Sequence, residues 1–278
     1  MAFPAPGLLQ VEGVLFDALI ECSKNVSALL EGAEDASIFL VTERLDPIDR
    51  LTGEHPWEIW MQTLAGDDFN TEGGSFGGES EILKLENRWS YITRSFRQWL
   101  LSKALAALSM LQGPEAWRYE AVAKKWFAQY ELVTKSTSAD TGDNVGHEYW
   151  RSLQDAFCSD GSKLDKPLDF RRRVEEEANL FRVLLRRHAI GLLDGPLART
   201  KDRNNLCLAT RSARVGDEIW FLRGSRMPCV LQPALSKGRY TFIGEAYVHN
   251  FMQGEYFLQE PNASDETGFT KSQTIVIE

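Results

Sequence analysis

Three chemically capable side chains alternate along one strand-like run near the C-terminus: Glu245, Tyr247 and His249 in Gly244-Glu245-Ala246-Tyr247-Val248-His249. Side chains two residues apart share a face of a strand. Thr241 and Ile243 join these three, while Tyr240, Phe242, Ala246 and Val248 take the opposite face. An acid, a phenol and an imidazole on one face either line a cleft or meet water, the ordinary fate of a polar sheet face. His249 is the first candidate for acid–base chemistry, because imidazole changes charge near neutral pH. Tyr247 and Arg223 complete a candidate catalytic set. Arg223 and Arg226 stand in a turn beside Trp220, where a guanidinium can bind a carboxylate or polarise a carbonyl. Trp220, Arg226, Glu245, Trp57 and Trp60 are the candidate substrate contacts, since wide aromatic faces wall an apolar pocket as readily as they fill a core.

Several chemistries find no support in the sequence. The four cysteines (Cys22, Cys158, Cys207, Cys229) form no CxxC pair and have no histidine at metal-ligand spacing, so no metal centre is expected. Cys207 and Cys229 lie in apolar runs and read as core residues. There is no phosphate-cradling loop, no dinucleotide fingerprint and no G-x-S-x-G elbow, so no cofactor is expected. Gly73-Gly74-Ser75-Phe76-Gly77-Gly78 follows no strand and precedes no Lys-Ser/Thr pair. The net charge of −9 argues against nucleic-acid binding, which needs basic groups to displace phosphate counterions. The basic run Arg171-Arg172-Arg173 lies beside Glu175-Glu176-Glu177, a spacing that predicts ion pairs along one solvated helix face. No apolar run reaches the ~20 residues of a membrane span, and the first residues lack a signal-peptide pattern. A cytoplasmic protein that does not insert into membranes is the expectation.

The elements that must position these residues follow from periodicity. Leu8 to Cys22 reads as a strand, with Val14, Phe16, Ala18 and Ile20 on one face. Ile38, Phe39 and Leu40 cluster in a segment of unsettled type. His55-Pro56-Trp57 opens a helix with proline in its first turn, and Trp57, Trp60, Met61 and Leu64 fall on one face. A polar, glycine-rich loop is expected over 67–78. A long helix over 80–111 carries the stripe Leu85, Trp89, Ile92, Phe96, Trp99 and Leu100. A second, over 115–133, turns Trp117, Val122, Trp126, Phe127 and Tyr130 inward. Further helices are expected over 145–157 and 168–188. After Gly191, short β-rich runs at 206–210, 217–222, 227–231, 239–249 and 274–277 predict an antiparallel meander or small barrel, which the N-terminal strand can join. The expected whole is one α+β domain over 1–278, mainly helical over 1–190 and β-rich over 191–278, with about four main helices.

Within the β-rich part, Ala213-Arg214-Val215-Gly216-Asp217-Glu218-Ile219-Trp220 is followed by Arg223-Gly224-Ser225-Arg226-Met227-Pro228 and then by Ile243 through Glu255. This succession resembles the C-terminal region of fungal heterokaryon-incompatibility (HET) proteins. There an AxxGD turn leads to a glycine-containing hairpin, a Pro-led strand and a strand reading G-E-x-Y-V-H-G-x-M-x-G. Asn250 departs from that pattern where glycine is frequent, yet asparagine also tolerates a left-handed turn. The likeness is specific over about the last quarter of the chain. It implies a relative carried without the N-terminal TIR-like effector domain, which would stand before Met1.

Two functions of different class follow. One is a cofactor-free cyclase of pericyclase or Diels–Alderase type, folding an apolar terpenoid or polyketide intermediate of fungal secondary metabolism into a near-attack conformer. Hydrogen bonds to an activated carbonyl would lower its barrier. The other is a non-enzymatic binding or regulatory module of the incompatibility system. Oligomeric state is not readable from the sequence.

Overall fold

The computed structural model describes residues 2–5, 7–26, 28, 37–42, 45, 53–65, 85–112, 114, 116–137, 168–188, 195–252 and 272–278. The helix expected over 145–157, the loop over 67–78, His147, Trp150, Cys158 and the side chain of Trp89 lie outside the described residues. The strands are β1 (Ala2–Ala5), β2 (Leu8–Asn25), β3 (Pro196–Thr200), β4 (Leu206–Ala209), β5 (Glu218–Leu222), β6 (Cys229–Pro233), β7 (Arg239–Val248) and β8 (Gln273–Ile277). The α-helices are α1 (Ser37–Thr42), α2 (Pro56–Ala65), α3 (Leu85–Ser109), α4 (Ala116–Thr137) and α5 (Leu168–His188). The fold is α+β, with four main helices and the N-terminal strand in the sheet. None of the described helices is long and apolar enough to cross a membrane.

Two compact units divide the chain: Met1–Glu79 with Leu184–Glu278, and Ser80–Val183. The first helices do not belong with the later ones, because α1 lies against β2 and β3, and α2 lies against β4.

In the first unit, antiparallel pairings run β2–β3–β4–β7–β6–β5, and β5 returns to β2. The ring closes into a six-stranded barrel and so removes two open edges. Its 18-residue β2 spans enough length to pair β5 with one half and β3 with the other. Strand alternation fills the inside with Val14, Phe16, Leu19, Ala198, Cys207, Ala209, Ile219, Phe221, Val230, Ala246 and Val248, and Phe251 packs against Phe16 at 4.9 Å. Outside, Val11, Trp220, Cys229, Leu231, Ile275 and Ile277 form a second cluster under β8, which pairs β2 antiparallel and β7 parallel. Both cysteines expected in the core, Cys207 and Cys229, are buried.

Bulges explain where the expected alternation fails. In β2 the register shifts between Leu15 and Asp17, so Leu19 rather than Ala18 follows Phe16 into the core and Ile20 faces outward. The bulge turns Asp17 inward, where its carboxylate accepts the backbone N–H groups of Ala18, Asp202 and Arg203. In β7, Val230 faces Gly244 but Leu231 faces Phe242, leaving Ile243 as an extra residue. Ile243 packs with Ala246 and Val248, and not on the face of Glu245 and Tyr247 as strict alternation required. Gly244 has φ +153°, and a Cβ there would come within 2.8 Å of Thr210, so glycine serves both the bulge and a close approach.

The second unit is helical. Ile92, Phe96, Trp99 and Leu100 of α3 are buried as the stripe predicts, as are Val122, Trp126, Phe127 and Tyr130 of α4. Trp99 meets Trp126 edge-on at 5.4 Å and Phe181 at 5.3 Å, so these aromatics are core. Trp117 is corrected: it is 75% exposed. Nine residues separate it from Trp126, about two and a half turns, which places it on the opposite face of α4. Arg172 pairs with Glu176 at 3.7 Å along α5, the i,i+4 arrangement its charge pattern predicts.

Candidate functional site

The outer face of β4 and β7 carries Tyr247 and His249. Ala246 and Val248 point into the barrel, so Tyr247 and His249 point out, beside Leu206 and Leu208 of the neighbouring strand. This face is neither an open cleft nor in water. Tyr247 and His249 are buried, and α2 lies against β4. Trp57, Trp60, Met61 and Leu64, the predicted apolar face of α2, are buried as well.

The start of α2 is built to hold Glu54 in place. Pro56 takes the first helical position, where no N–H is needed. The Glu58 carboxylate accepts the N–H of His55 at 2.8 Å, closing a cap around the helix entry. Glu54, just before the cap, reaches His249: its Oε2 lies 2.9 Å from Nε2 of the imidazole. Asn250 Nδ2 donates to the same oxygen at 3.4 Å, and Gln62 Nε2 donates to Oε1 at 3.1 Å. A carboxylate only accepts, so Nε2 of His249 carries the proton. Asn250 adopts φ +64°, the left-handed turn its place after His249 requires, and so brings its amide to Glu54. His249 is 3% exposed, and its Nδ1 has no hydrogen-bond partner among the described residues. The same holds for Nε1 of Trp57.

The structure thus brings four of the eight expected residues to one neighbourhood, with Tyr247 and His249 on the barrel face and Trp57 and Trp60 on the helix above β4. The other four lie elsewhere. Trp220 is fully buried in the cluster under β8, with its Nε1 donating to Glu218 at 2.9 Å and its ring edge-on to Tyr240. Glu245 is half-buried opposite Cys229, whose thiol is pushed up by burial and by the Glu245 charge against a hydrogen bond from Ser225. Arg223 forms an ion pair with Glu12 at 2.6 Å on the surface, and Arg226 is exposed in the same turn. No described contact joins Arg223 or Arg226 to His249.

Glu54 escaped the sequence reading. It lies 195 positions from its partner, and no spacing rule links them. Its one local signal is its place immediately before a capped helix start, where an acid also suits the dipole. The Gly216-Asp217 turn has a purely conformational basis. Gly216 takes φ +94°, and Asp217 Oδ2 accepts the N–H of Arg214 at 2.8 Å while burial pushes its carboxyl up. Among the described residues no group of three His, Cys, Asp or Glu side chains is placed to hold a metal ion. Compared with protein-family models, curated proteins and solved structures, the chain matches none.

Proposed function

We propose that the chain is a non-enzymatic binding module, of the kind the resemblance to incompatibility proteins implies, in which the barrel is a scaffold and its exposed turns recognise a partner protein. The observation that carries this reading is the filled interior: side chains from all six barrel strands pack into one buried cluster where a substrate would otherwise sit. The residues first considered catalytic serve other ends. Tyr247 is buried, His249 is tied to Glu54, and Arg223 is paired with Glu12. The turns, by contrast, expose Val215, Arg226 and Leu235 to solvent. The test is to express the chain in one of two otherwise compatible fungal strains and score viability of their fused cells. A changed fusion outcome supports the module; an unchanged one counts against it.

A cofactor-free cyclase is the second reading, favoured by one observation. Glu54 orients an imidazole whose Nδ1 lies buried and without a described partner, close to the helix that carries Trp57 and Trp60. A carboxylate-steered imidazole is a competent acid or base. Incubation with an unsaturated terpenoid or polyketide intermediate separates the readings. Cyclisation faster than in buffer, lost in His249→Ala, would favour the enzyme; a rate and stereochemistry equal to buffer would remove it.

A further inference from the structure

Beside the cluster under β8 lies a rim of the sheet that neither reading uses. β8 pairs β2 from Leu9 to Gly13 and β7 at Arg239 and Tyr240. The next outward positions along those two strands, Leu15 and Phe242, lie beyond its reach and are 39% and 48% exposed. Two cross-strand rows define the rim. Leu15 faces Trp220, Trp220 faces Cys229, and Cys229 faces Glu245. In the neighbouring row Glu218 faces Leu231, which faces Phe242. Directly opposed residues share a face of a sheet, and Trp220, Cys229 and Leu231 are the buried floor of this one.

The bulge in β7 decides what this rim carries. With unbroken alternation Phe242 and Glu245 would take opposite faces. The extra residue at Ile243 returns Glu245 to the face of Phe242, so an exposed ring and a half-buried carboxylate follow each other along one strand. Glu245 makes no hydrogen bond or ion pair among the described residues. Glu218 is held on the same face, its Oε2 accepting Trp220 Nε1 at 2.9 Å. An aromatic face beside a carboxylate suits an arginine, whose flat guanidinium stacks on the ring and donates a forked pair of hydrogen bonds to the acid. Lysine, a compact and strongly hydrated charge, suits it less.

We propose that Phe242 and Glu245, with Glu218 across the sheet, form a docking surface for an arginine-bearing segment of a partner protein. The proposal rests on the binding-module reading and gives that partner its chemistry. Leu15, at the other end of the row from Glu245, offers an apolar contact to a segment lying across the strands. The net charge of −9 favours the approach of a basic partner.

The test titrates the full, isotope-labelled chain with a capped hexapeptide of alternating glycine and arginine and follows the backbone amide shifts. Matching lysine and glutamate peptides are titrated at the same ionic strength. The arginine peptide should bind saturably and shift the amides of Phe242 and Glu245; the lysine peptide should bind more weakly and the glutamate peptide not at all. Glu245→Gln and Phe242→Leu should each weaken the arginine peptide at least about fivefold. Glu176→Gln, which removes an exposed acid of α5, should bind as the wild type does. The proposal is overturned if the arginine peptide does not saturate, if its shifts avoid Phe242 and Glu245, or if the lysine peptide binds as tightly. It is equally overturned if the Glu245 and Phe242 variants bind as the wild type does, or if Glu176→Gln weakens binding as much as they do, since net charge alone would then be at work. Should Phe242→Leu fail to fold, Glu245→Gln and Phe242→Tyr decide, the second keeping the ring and the binding. The fusion assay is a separate readout. Peptide binding at this rim with an unchanged fusion outcome would remove the module reading, whereas a changed outcome without peptide binding would remove the rim.

Discussion

The two units treat buried polar groups in opposite ways. In the barrel unit Asp17 accepts three backbone N–H groups, and one nitrogen of His249 is held by Glu54. In the helical unit Lys103 is buried, and burial first and the nearby Arg182 second push its pKa down to about 8. A matched buried group adds order and stability; a charge taken out of water near a like charge costs stability. The contrast teaches that burial alone does not mark a functional residue. Its surroundings separate a structural clamp such as Glu54–His249 from a charge that burial penalises.

Mutations can break or sharpen that contrast. Asp17→Ala should have the largest effect, a loss of about 3 kcal/mol in denaturant unfolding, because it orphans the backbone donors of Asp202 and Arg203 at the bulge. Asp17→Asn should recover part of the loss.

Lys103→Met should act with the opposite sign. A pKa lowered from 10.5 to about 8 corresponds to roughly 3 kcal/mol of destabilisation by the charged lysine. The unfolded chain holds this proton more tightly than the folded one, so the penalty is complete below about pH 8. It fades as pH rises from about 8 toward 10.5. The variant should therefore be the more stable protein near pH 7, with its advantage shrinking in alkaline buffer. A Lys103→Met protein less stable than wild type in chloride near pH 7 would erase the contrast.

Glu54→Ala should cost about 2 kcal/mol by leaving His249 buried without its acceptor, discounted because the Glu54 side chain is 24% exposed. Glu54→Gln, which still accepts a hydrogen bond, should cost less than half as much by the same unfolding measurement. At the small end, Arg223→Ala and Trp117→Ser should each stay within about 0.5 kcal/mol of wild type, the first removing an exposed ion pair and the second an exposed ring.

Local periodicity made much of this legible. The α2 face of Trp57, Trp60, Met61 and Leu64, the α3 positions Ile92, Phe96, Trp99 and Leu100 and the five β-rich runs after Gly191 all follow from spacing and appear in place. β3 escaped because Pro196-Leu197-Ala198-Arg199-Thr200 has too little β-branched character to signal a strand. It is held by pairing with β2 and β4 on both sides. The bulges at Asp17 and Ile243 were invisible for a related reason: one inserted residue reverses every later side chain, and only the partner strand reveals it. Of the candidate site, the pairing of Tyr247 with His249 on one face was readable from alternation. Glu54 was not, because only the closed barrel brings residue 54 to residue 249.

We propose that this chain recognises a partner through exposed turns on a filled barrel. The most direct measurement is the fusion assay with Arg226→Glu/Leu235→Asp, two exposed turn positions whose replacement leaves the core untouched. The variant should keep the wild-type Tm and no longer alter the fate of fused cells. A variant that folds and still acts as the wild type does would contradict it.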